Sequence, residues 1–275
     1  MYASNRVKDT YMKIARMPYI NVDPFYYTLE HAAEKGAELI PGYPRQIGRL
    51  AEEQDTIDAG PISVMDFLKL QYRYEPLDRM CVAVKEKAGS VTMFSKHPIE
   101  KLDKCRIGIT SQTSTSRVLL RLILEHRYGI TPAEYLEQPE HGQVDAYLFI
   151  GNNALVYTYK GLKDFEYIYD LGEEWRRWTG LPFVFAVWAI RKAVPGHEKD
   201  YLTGLLKNSL NVFWQNEKEM AQKRSKELLI PADFIENYWH LFIYNRTDAV
   251  DKSLELFTDS IKKIKGVAAD GQKKI

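Results

Sequence analysis

The longest stretch of purely apolar residues in the chain is 183–190, FVFAVWAI. It is rich in aromatic and β-branched side chains, and Arg191 and Lys192 follow it directly. Such a run is typical of a strand that is buried on both faces of a sheet. Gly180 and Pro182 come just before it. Glycine can adopt backbone conformations closed to other residues, and proline, which has no N–H to donate, suits the first position of a strand. The pattern therefore predicts a central strand that comes late in the chain.

Before that strand, short apolar runs alternate with segments whose apolar residues recur at helical spacing. After it, only segments with helical spacing follow. Since strands and helices alternate, we expect mostly parallel sheets covered by helices. The motif TPAE at 131–134 has the form of a capping box, which predicts a helix start. A mobile tail is expected at 266–275. The predicted strands are 12–17, 39–41, 57–61, 81–84, 90–94, 106–109, 146–150 and 165–169, and the predicted helices are 25–35, 44–54, 64–71, 117–128, 202–214, 231–242 and 247–264.

The order of these elements predicts a division into two lobes. The first lobe is expected at 1–94 plus 187–275, and the second at 95–186. The chain would cross between them near 95–102 and return near 182–190. Two crossings make a hinge, and the cleft between the lobes is the natural ligand site. The prediction is an α/β protein with a two-lobed periplasmic-binding-protein-like (type II) fold and two hinge crossings.

Charge and composition exclude several partners. The 275 residues contain 38 Lys and Arg against 37 Asp and Glu. This balance gives the protein no large net positive charge that would attract nucleic acid or an anionic membrane. No apolar run reaches the roughly 18 residues of a membrane span. The N-terminus shows no apolar segment of the kind found in secretion signals, so a cytoplasmic location is expected. The oligomeric state is left open.

Metal and nucleotide chemistry also lack a sequence signal. Cys81 and Cys105 are predicted to be small buried hydrophobic residues in a reducing compartment. The six His residues are scattered and have no ligand spacing, so we expect no metal and no cofactor. The GxSxG, P-loop and GxGxxG motifs are absent, which leaves a triad hydrolase, an NTPase and a Rossmann dehydrogenase unsupported.

The strongest candidate for ligand binding is the hydroxyl-rich turn TSQTSTS at 110–116, between a predicted strand and a predicted helix. Hydroxyls, backbone N–H groups and the positive end of a helix suit a carboxylate or a phosphate. Ordinary N-capping is the alternative, but it needs only one hydroxyl. The pattern favours anion binding at Thr115 and Ser116.

Three further polar residues follow predicted strands or crossings and could face the same cleft. On position alone, Asn21 is interpreted as a turn residue and Ser90 as an ordinary polar strand start. Asn152 follows a strand end in the second lobe. Among the nearby acids, Asp23 is predicted to form an Asx-turn and Asp58 to be a solvated strand end.

Five segments of the chain together form a recognisable pattern: 58–68 (DAGPISVMDFL), 90–95 (SVTMFS), 106–120 (RIGITSQTSTSRVLL), 150–155 (IGNNAL) and 170–191 (DLGEEWRRWTGLPFVFAVWAIR). In this pattern the chain resembles the chorismate dehydratase branch of the menaquinone-biosynthesis family of the futalosine pathway. The resemblance extends over about 13–244, and the block TGLPFVFA is its most specific part. The motif MPYINVDP fits the dehydratase branch better than the naphthoate synthase branch, which begins with an SPCPND-like motif.

The resemblance implies conversion of the small molecule chorismate to 3-[(1-carboxyvinyl)oxy]benzoate and water. Asn21 and Ser90 would be catalytic, and the expected substrate-binding residues are Ser63, Ser114, Thr115, Ser116, Asn152, Thr179 and Gly180. The chain departs from the family pattern twice, with Asn152 where an Asp is common and Ser114 where an Arg is usual. The rival hypothesis is a solute-binding protein that holds a small aromatic or carboxylate anion without chemistry.

Overall fold

Two mixed sheets organise the protein. The computed structural model describes residues 12–30, 37–53 and 56–264. Within those residues the first sheet has the strand order β11-β4-β10-β3-β1-β2, and the second has the order β7-β6-β8-β5-β9. The strands are β1 Met12–Arg16, β2 Ala37–Pro41, β3 Ala59–Ser63, β4 Tyr74–Val84, β5 Val91–Ser95, β6 Arg106–Ile109, β7 Glu134–Glu137, β8 Ala146–Ile150, β9 Tyr167–Asp170, β10 Phe183–Arg191 and β11 Phe242–Asn245.

Helices cover the faces of both sheets. They are α1 Asp23–Tyr26, α2 Pro44–Glu52, α3 Val64–Leu70, α4 Thr115–Arg121, α5 Gly151–Lys160, α6 Leu171–Thr179, α7 Gly196–Gln215, α8 Glu217–Leu228, α9 Ala232–Trp239 and α10 Asp248–Ile261. Helix α4 continues as a π-helix over Leu122–Arg127, and 3-10 turns lie at Ile20–Val22, Ile99–Lys101 and His141–Gln143. None of the described helices combines the length and apolarity that crossing a bilayer requires.

Strand β10 is the predicted central strand. It lies between β3 and β4, and its side chains are buried along almost its whole length. Trp188 is fully buried, with its ring centroid 5.3 Å from that of Phe25 and 5.8 Å from that of Tyr26. Cys81, on the neighbouring strand β4, is buried as predicted, whereas Cys105 is only partly buried. A run without charge thus identified the middle of the sheet.

The expected parallel sheets are in fact mixed. Strands β2, β1 and β3 are parallel, but β10 runs antiparallel to both β3 and β4, and β11 runs antiparallel to β4. In the second sheet β5 is antiparallel to β8 and β9. The return from the second lobe brings β10 into the sheet from the opposite end. A buried strand is apolar in either direction, so its sequence does not reveal this reversal.

Two local predictions are wrong. Residues 134–137, expected at the start of a helix, form β7 and pair in parallel with β6. The helix expected at 231–242 ends at Trp239, and Phe242 begins the edge strand β11. In both cases pairing with a distant strand overrides the local helical pattern. Residues 31–35 of the helix expected at 25–35, and the tail at 266–275, lie outside the described residues.

The two crossings come earlier in the chain than expected. Strand β5 pairs with β8 and β9, so the chain enters the second sheet through residues 85–90. It leaves after β9 through α6 and residues 180–182, because β10 belongs to the first sheet from Phe183 onward. The lobe borders at 94/95 and 186/187 remain a prediction. Residues 91–94 of β5 nevertheless belong to the second sheet, and residues 183–186 of β10 belong to the first.

One carboxylate joins both crossings. Asp170 is the N-cap of α6, and its Oδ1 accepts hydrogen bonds from the N–H groups of Gly172 at 2.9 Å and Glu173 at 3.1 Å. The same carboxylate accepts from Ala88 N–H at 2.9 Å and from Gly89 N–H at 2.6 Å in the first crossing. Burial raises the pKa of Asp170, and these four donors oppose the rise.

The acids expected to be ordinary turn or surface residues are paired instead. Asp23, predicted to form an Asx-turn, is only 3% exposed. Its carboxylate contacts Arg224 at 2.7 and 2.9 Å and Arg16 at 3.1 Å, which ties the first turn to α8. Asp58 is 3.1 Å from Arg191 and accepts from Lys13 N–H at 2.8 Å, so it is a half-buried strand-end contact rather than a solvated one.

Replacing the crossing carboxylate should destabilise the fold. Asp170→Ala leaves four backbone N–H groups without their acceptor, and we expect the free energy of unfolding in urea to fall by about 2–4 kcal/mol. Asp170→Asn keeps one side-chain oxygen, which can accept the three hydrogen bonds now made to Oδ1, so its free energy of unfolding should fall by less. The exposed Asp259→Ala serves as control and should leave the urea midpoint unchanged. Equal stability of Asp170→Ala and the control would contradict the assigned role.

Candidate active site

A cavity lies where the two lobes meet, and the space within it, open solvent included, is about 510 Å³. The structure brings together several of the predicted site residues on its wall, namely Asn21, Ser63, Ser90, Thr115 and Ser116.

Each of these residues stands where an element begins or ends. Asn21 is in the 3-10 turn after β1, and Ser63 ends β3 and caps α3. Ser90 ends the first crossing, immediately before β5. Thr115 and Ser116 open α4. Turns at element ends leave polar groups unpaired, which is why these positions can serve a ligand.

Asn21 presents an unused acceptor. Its Oδ1 is buried and accepts no hydrogen bond from the described residues. The turn around it is held in place, because Trp239 Nε1–H donates to the Ile20 carbonyl at 2.7 Å and the Tyr244 hydroxyl donates to the Asn21 carbonyl at 3.0 Å. A buried acceptor without a partner costs about 1–3 kcal/mol. The position thus suits a ligand group that can donate a hydrogen bond.

Ser90 is held by a neighbour that the sequence did not indicate. Its Oγ lies 2.7 Å from the hydroxyl of Tyr238, and its carbonyl accepts from Gly151 N–H at 2.8 Å. Burial raises the pKa of Tyr238 far above its usual value, so the phenol stays protonated at neutral pH. Ser90 as a whole is 1% exposed, so its hydroxyl is enclosed by protein.

The hydroxyl-rich turn is partly engaged by the protein itself. Thr115 Oγ1 accepts from Met65 N–H at 3.1 Å, which is a contact between the lobes. The Ser116 N–H donates to Thr113 Oγ1 at 3.1 Å. The Ser116 N–H is therefore engaged within the turn and is not free to bind an anion.

Four of the predicted binding residues lie outside the cavity wall, among them Ser114 and Asn152. The Ser114 side chain is hydrogen-bonded to Asp66 in a neighbouring groove. Asn152 Oδ1 accepts from Ile20 N–H at 3.1 Å, and its Nδ2 donates to the Pro18 carbonyl at 3.1 Å. An aspartate could not make the second bond, which gives a physical reason for the asparagine. Asn152 thus links the lobes next to Asn21.

Thr179 and Gly180 also lie outside the cavity wall. Thr179 is the last residue of helix α6, and Gly180 is its C-cap. The Thr179 hydroxyl donates to the Trp175 carbonyl at 2.9 Å and accepts from Leu181 N–H at 3.2 Å. Gly180 has φ of 73°, a left-handed conformation that favours glycine at a helix end.

The cavity wall is uncharged. Among the described residues that line it there is no Lys, Arg, His, Asp or Glu. Tyr19 does line it, and burial raises the pKa of its hydroxyl, which donates to Gln112 at 2.8 Å. Elsewhere in the described part of the chain, no group of three or more His, Cys, Asp or Glu side chains could hold a metal ion.

Three residues of the site were missed by sequence reasoning: Tyr19, Gly151 and Tyr238. Gly151 has φ of 65°, and a Cβ there would lie 2.2 Å from the Tyr19 ring. Its place directly after a buried strand was an available signal. Tyr238 was assigned only to a helical stripe, since nothing in the sequence links it to Ser90.

Comparison with known proteins supplies the family. A family model for menaquinone biosynthesis matches residues 12–263. The chain is 26% identical to the chorismate dehydratase of Thermus thermophilus over 263 residues, which is 88% of this chain and 92% of the relative.

Solved structures show the same architecture. A protein from Archaeoglobus fulgidus aligns with a TM-score of 0.74 at 19% identity, over 92% of this chain and 97% of that one. The periplasmic aliphatic sulphonate binding protein of Escherichia coli aligns with a TM-score of 0.61 at 11% identity, over 90% and 91% of the two chains. These likenesses confirm the predicted periplasmic-binding-protein-like fold. The family-model match over 12–263 shows that this chain belongs to the menaquinone biosynthesis family.

Proposed function

We propose that the protein is a chorismate dehydratase, a carbon–oxygen lyase that converts chorismate to 3-[(1-carboxyvinyl)oxy]benzoate and water. The observation that carries the proposal is the unpartnered buried oxygen of Asn21 in a cavity that also holds Ser90. The similarity to the Thermus thermophilus enzyme supports the same assignment.

The reaction is an elimination that ends in an aromatic ring. The C3 proton of chorismate is acidic because the ring carboxylate is conjugated with that position. Its removal gives a dienolate, which expels the C4 hydroxyl as the ring becomes aromatic. The proton removed from C3 and the departing hydroxide leave as water, so the atoms balance without a co-reactant.

The base is the least obvious participant, because the described cavity wall carries no carboxylate and no imidazole. The enolpyruvyl carboxylate of the substrate lies close to C3 and is able to take the proton itself. The task of the protein is then to hold one reactive conformation, and orientation alone can contribute a large part of a rate enhancement.

Each polar residue has a role that fits its geometry. The free Oδ1 of Asn21 accepts from the C4 hydroxyl and directs the leaving group. Ser90, held by Tyr238, hydrogen-bonds the reacting edge of the ring. The hydroxyls of Thr115 and Ser116 bind the ring carboxylate and stabilise the charge that it gains in the dienolate.

A turnover assay tests the proposal. Purified protein with chorismate should release carboxyvinyloxybenzoate, detected by mass spectrometry, and Asn21→Ala should lower kcat by about 100-fold because the C4 hydroxyl is no longer held in the reactive orientation. Asn153→Ala is the matched control, since this exposed neighbour on α5 should retain wild-type kcat. No product from the wild type would refute the function, and full activity of Asn21→Ala would refute the role of that residue.

A double-mutant cycle tests the pair formed by Tyr238 and Ser90. Tyr238→Phe removes only the hydroxyl 2.7 Å from Ser90, and we expect kcat to fall about tenfold with KM nearly constant. If Tyr238 acts through Ser90, the substitution should have a smaller effect in a Ser90→Ala background than in the wild type. Additive losses in the double variant would show that the two residues act independently.

The rival function is binding without turnover, which the fold permits because one structural relative is a sulphonate-binding protein. The uncharged cavity argues against it, since a site evolved only to hold a dianion gains most from cationic side chains. Tight chorismate binding with no product in the assay would favour this second function.

A further inference from the structure

A cationic groove lies beside the uncharged cavity. It encloses about 1,500 Å³, open solvent included, and both lobes contribute to its wall. Five basic side chains line it, against two acidic ones, Glu52 and Asp66. The basic residues are Arg45, Arg49, Lys69, Arg117 and Arg121.

The groove and the cavity share part of their walls. Thr113 lines both of them. Between the two spaces, the Ser63 hydroxyl of the cavity donates to the Asp66 carboxylate of the groove at 2.7 Å, and Met65 N–H contacts Thr115 Oγ1. A molecule in the groove is therefore separated from the cavity by one layer of side chains.

Part of the positive charge is available to a ligand. Arg45 and Arg117 share Glu137, at 2.7 and 3.5 Å. Arg49 and Lys69 are exposed and have no ion-pair partner among the described residues.

We propose that this groove is the capture site for the dianionic substrate, which it concentrates before the substrate enters the cavity. The identity of that dianion rests on the function proposed above. The cavity has no cation of its own, so long-range attraction must come from outside it. A recessed patch of one sign of charge raises the local concentration of an oppositely charged ligand and its association rate.

Arg49→Gln/Lys69→Gln tests the proposal, because it removes two exposed charges that touch neither the cavity nor its hydrogen bonds. At low salt we expect kcat/KM for chorismate to fall about tenfold, with kcat unchanged. At about 0.5 M salt the difference from wild type should close, since screening removes the attraction. The matched control, Lys226→Gln/Lys252→Gln, loses two exposed charges on α8 and α10 and should behave as wild type.

A binding measurement separates this proposal from the proposed reaction. Calorimetric titration with isophthalate, an unreactive aromatic dicarboxylate, should show about tenfold weaker binding by the groove variant than by wild type or the control. Groove-dependent isophthalate binding by a protein that does not turn over chorismate would uphold the groove and refute the dehydratase. Absent isophthalate binding, equal affinities in the three proteins, or a wild-type kcat/KM in the groove variant would overturn the capture site.

Discussion

The Asp170 carboxylate is the constraint on which the geometry of the site depends. It accepts from N–H groups on both segments that cross between the lobes, and so fixes where the first crossing ends and where α6 begins. Ser90 follows Gly89 directly, and its carbonyl is held by Gly151 from the second lobe. A backbone secured from both sides presents one side chain orientation to the cavity, which is what positional catalysis requires.

The hydrogen bonds between the lobes lie at the site itself. Asn152 bonds to the turn that carries Asn21, Thr115 accepts from Met65 of the opposite lobe, and Tyr19 donates to Gln112. All of these contacts are made by residues on the cavity wall or directly beside it. The same hydrogen bonds that hold the lobes together therefore set the positions of the polar groups around the ligand.

Charge is separated between the two spaces, and the chemistry gives a reason for the separation. A guanidinium in the cavity would lower the pKa of a substrate carboxylate and make it a weaker base. If the enolpyruvyl carboxylate takes the C3 proton, as proposed, an uncharged wall preserves its basicity, while hydroxyls still bind the ring carboxylate. The neighbouring groove, with Arg49 and Lys69 exposed, supplies attraction without contact with the reacting atoms. The substrate would thus be drawn by charge but positioned by neutral hydrogen bonds.

The sequence by itself determined the elements whose signal is local and the family to which the chain belongs. Local patterns predicted strand β10, strands β6 and β8, and the hydroxyl-rich turn at Thr115. They could do so because burial and turn formation each select residue types at neighbouring positions. Only the tertiary structure decided that β10 runs antiparallel to its neighbours, that 134–137 form a strand, and that Tyr238 reaches Ser90. These outcomes depend on partners that are distant in the chain, and neither periodicity nor spacing encodes which distant groups will meet.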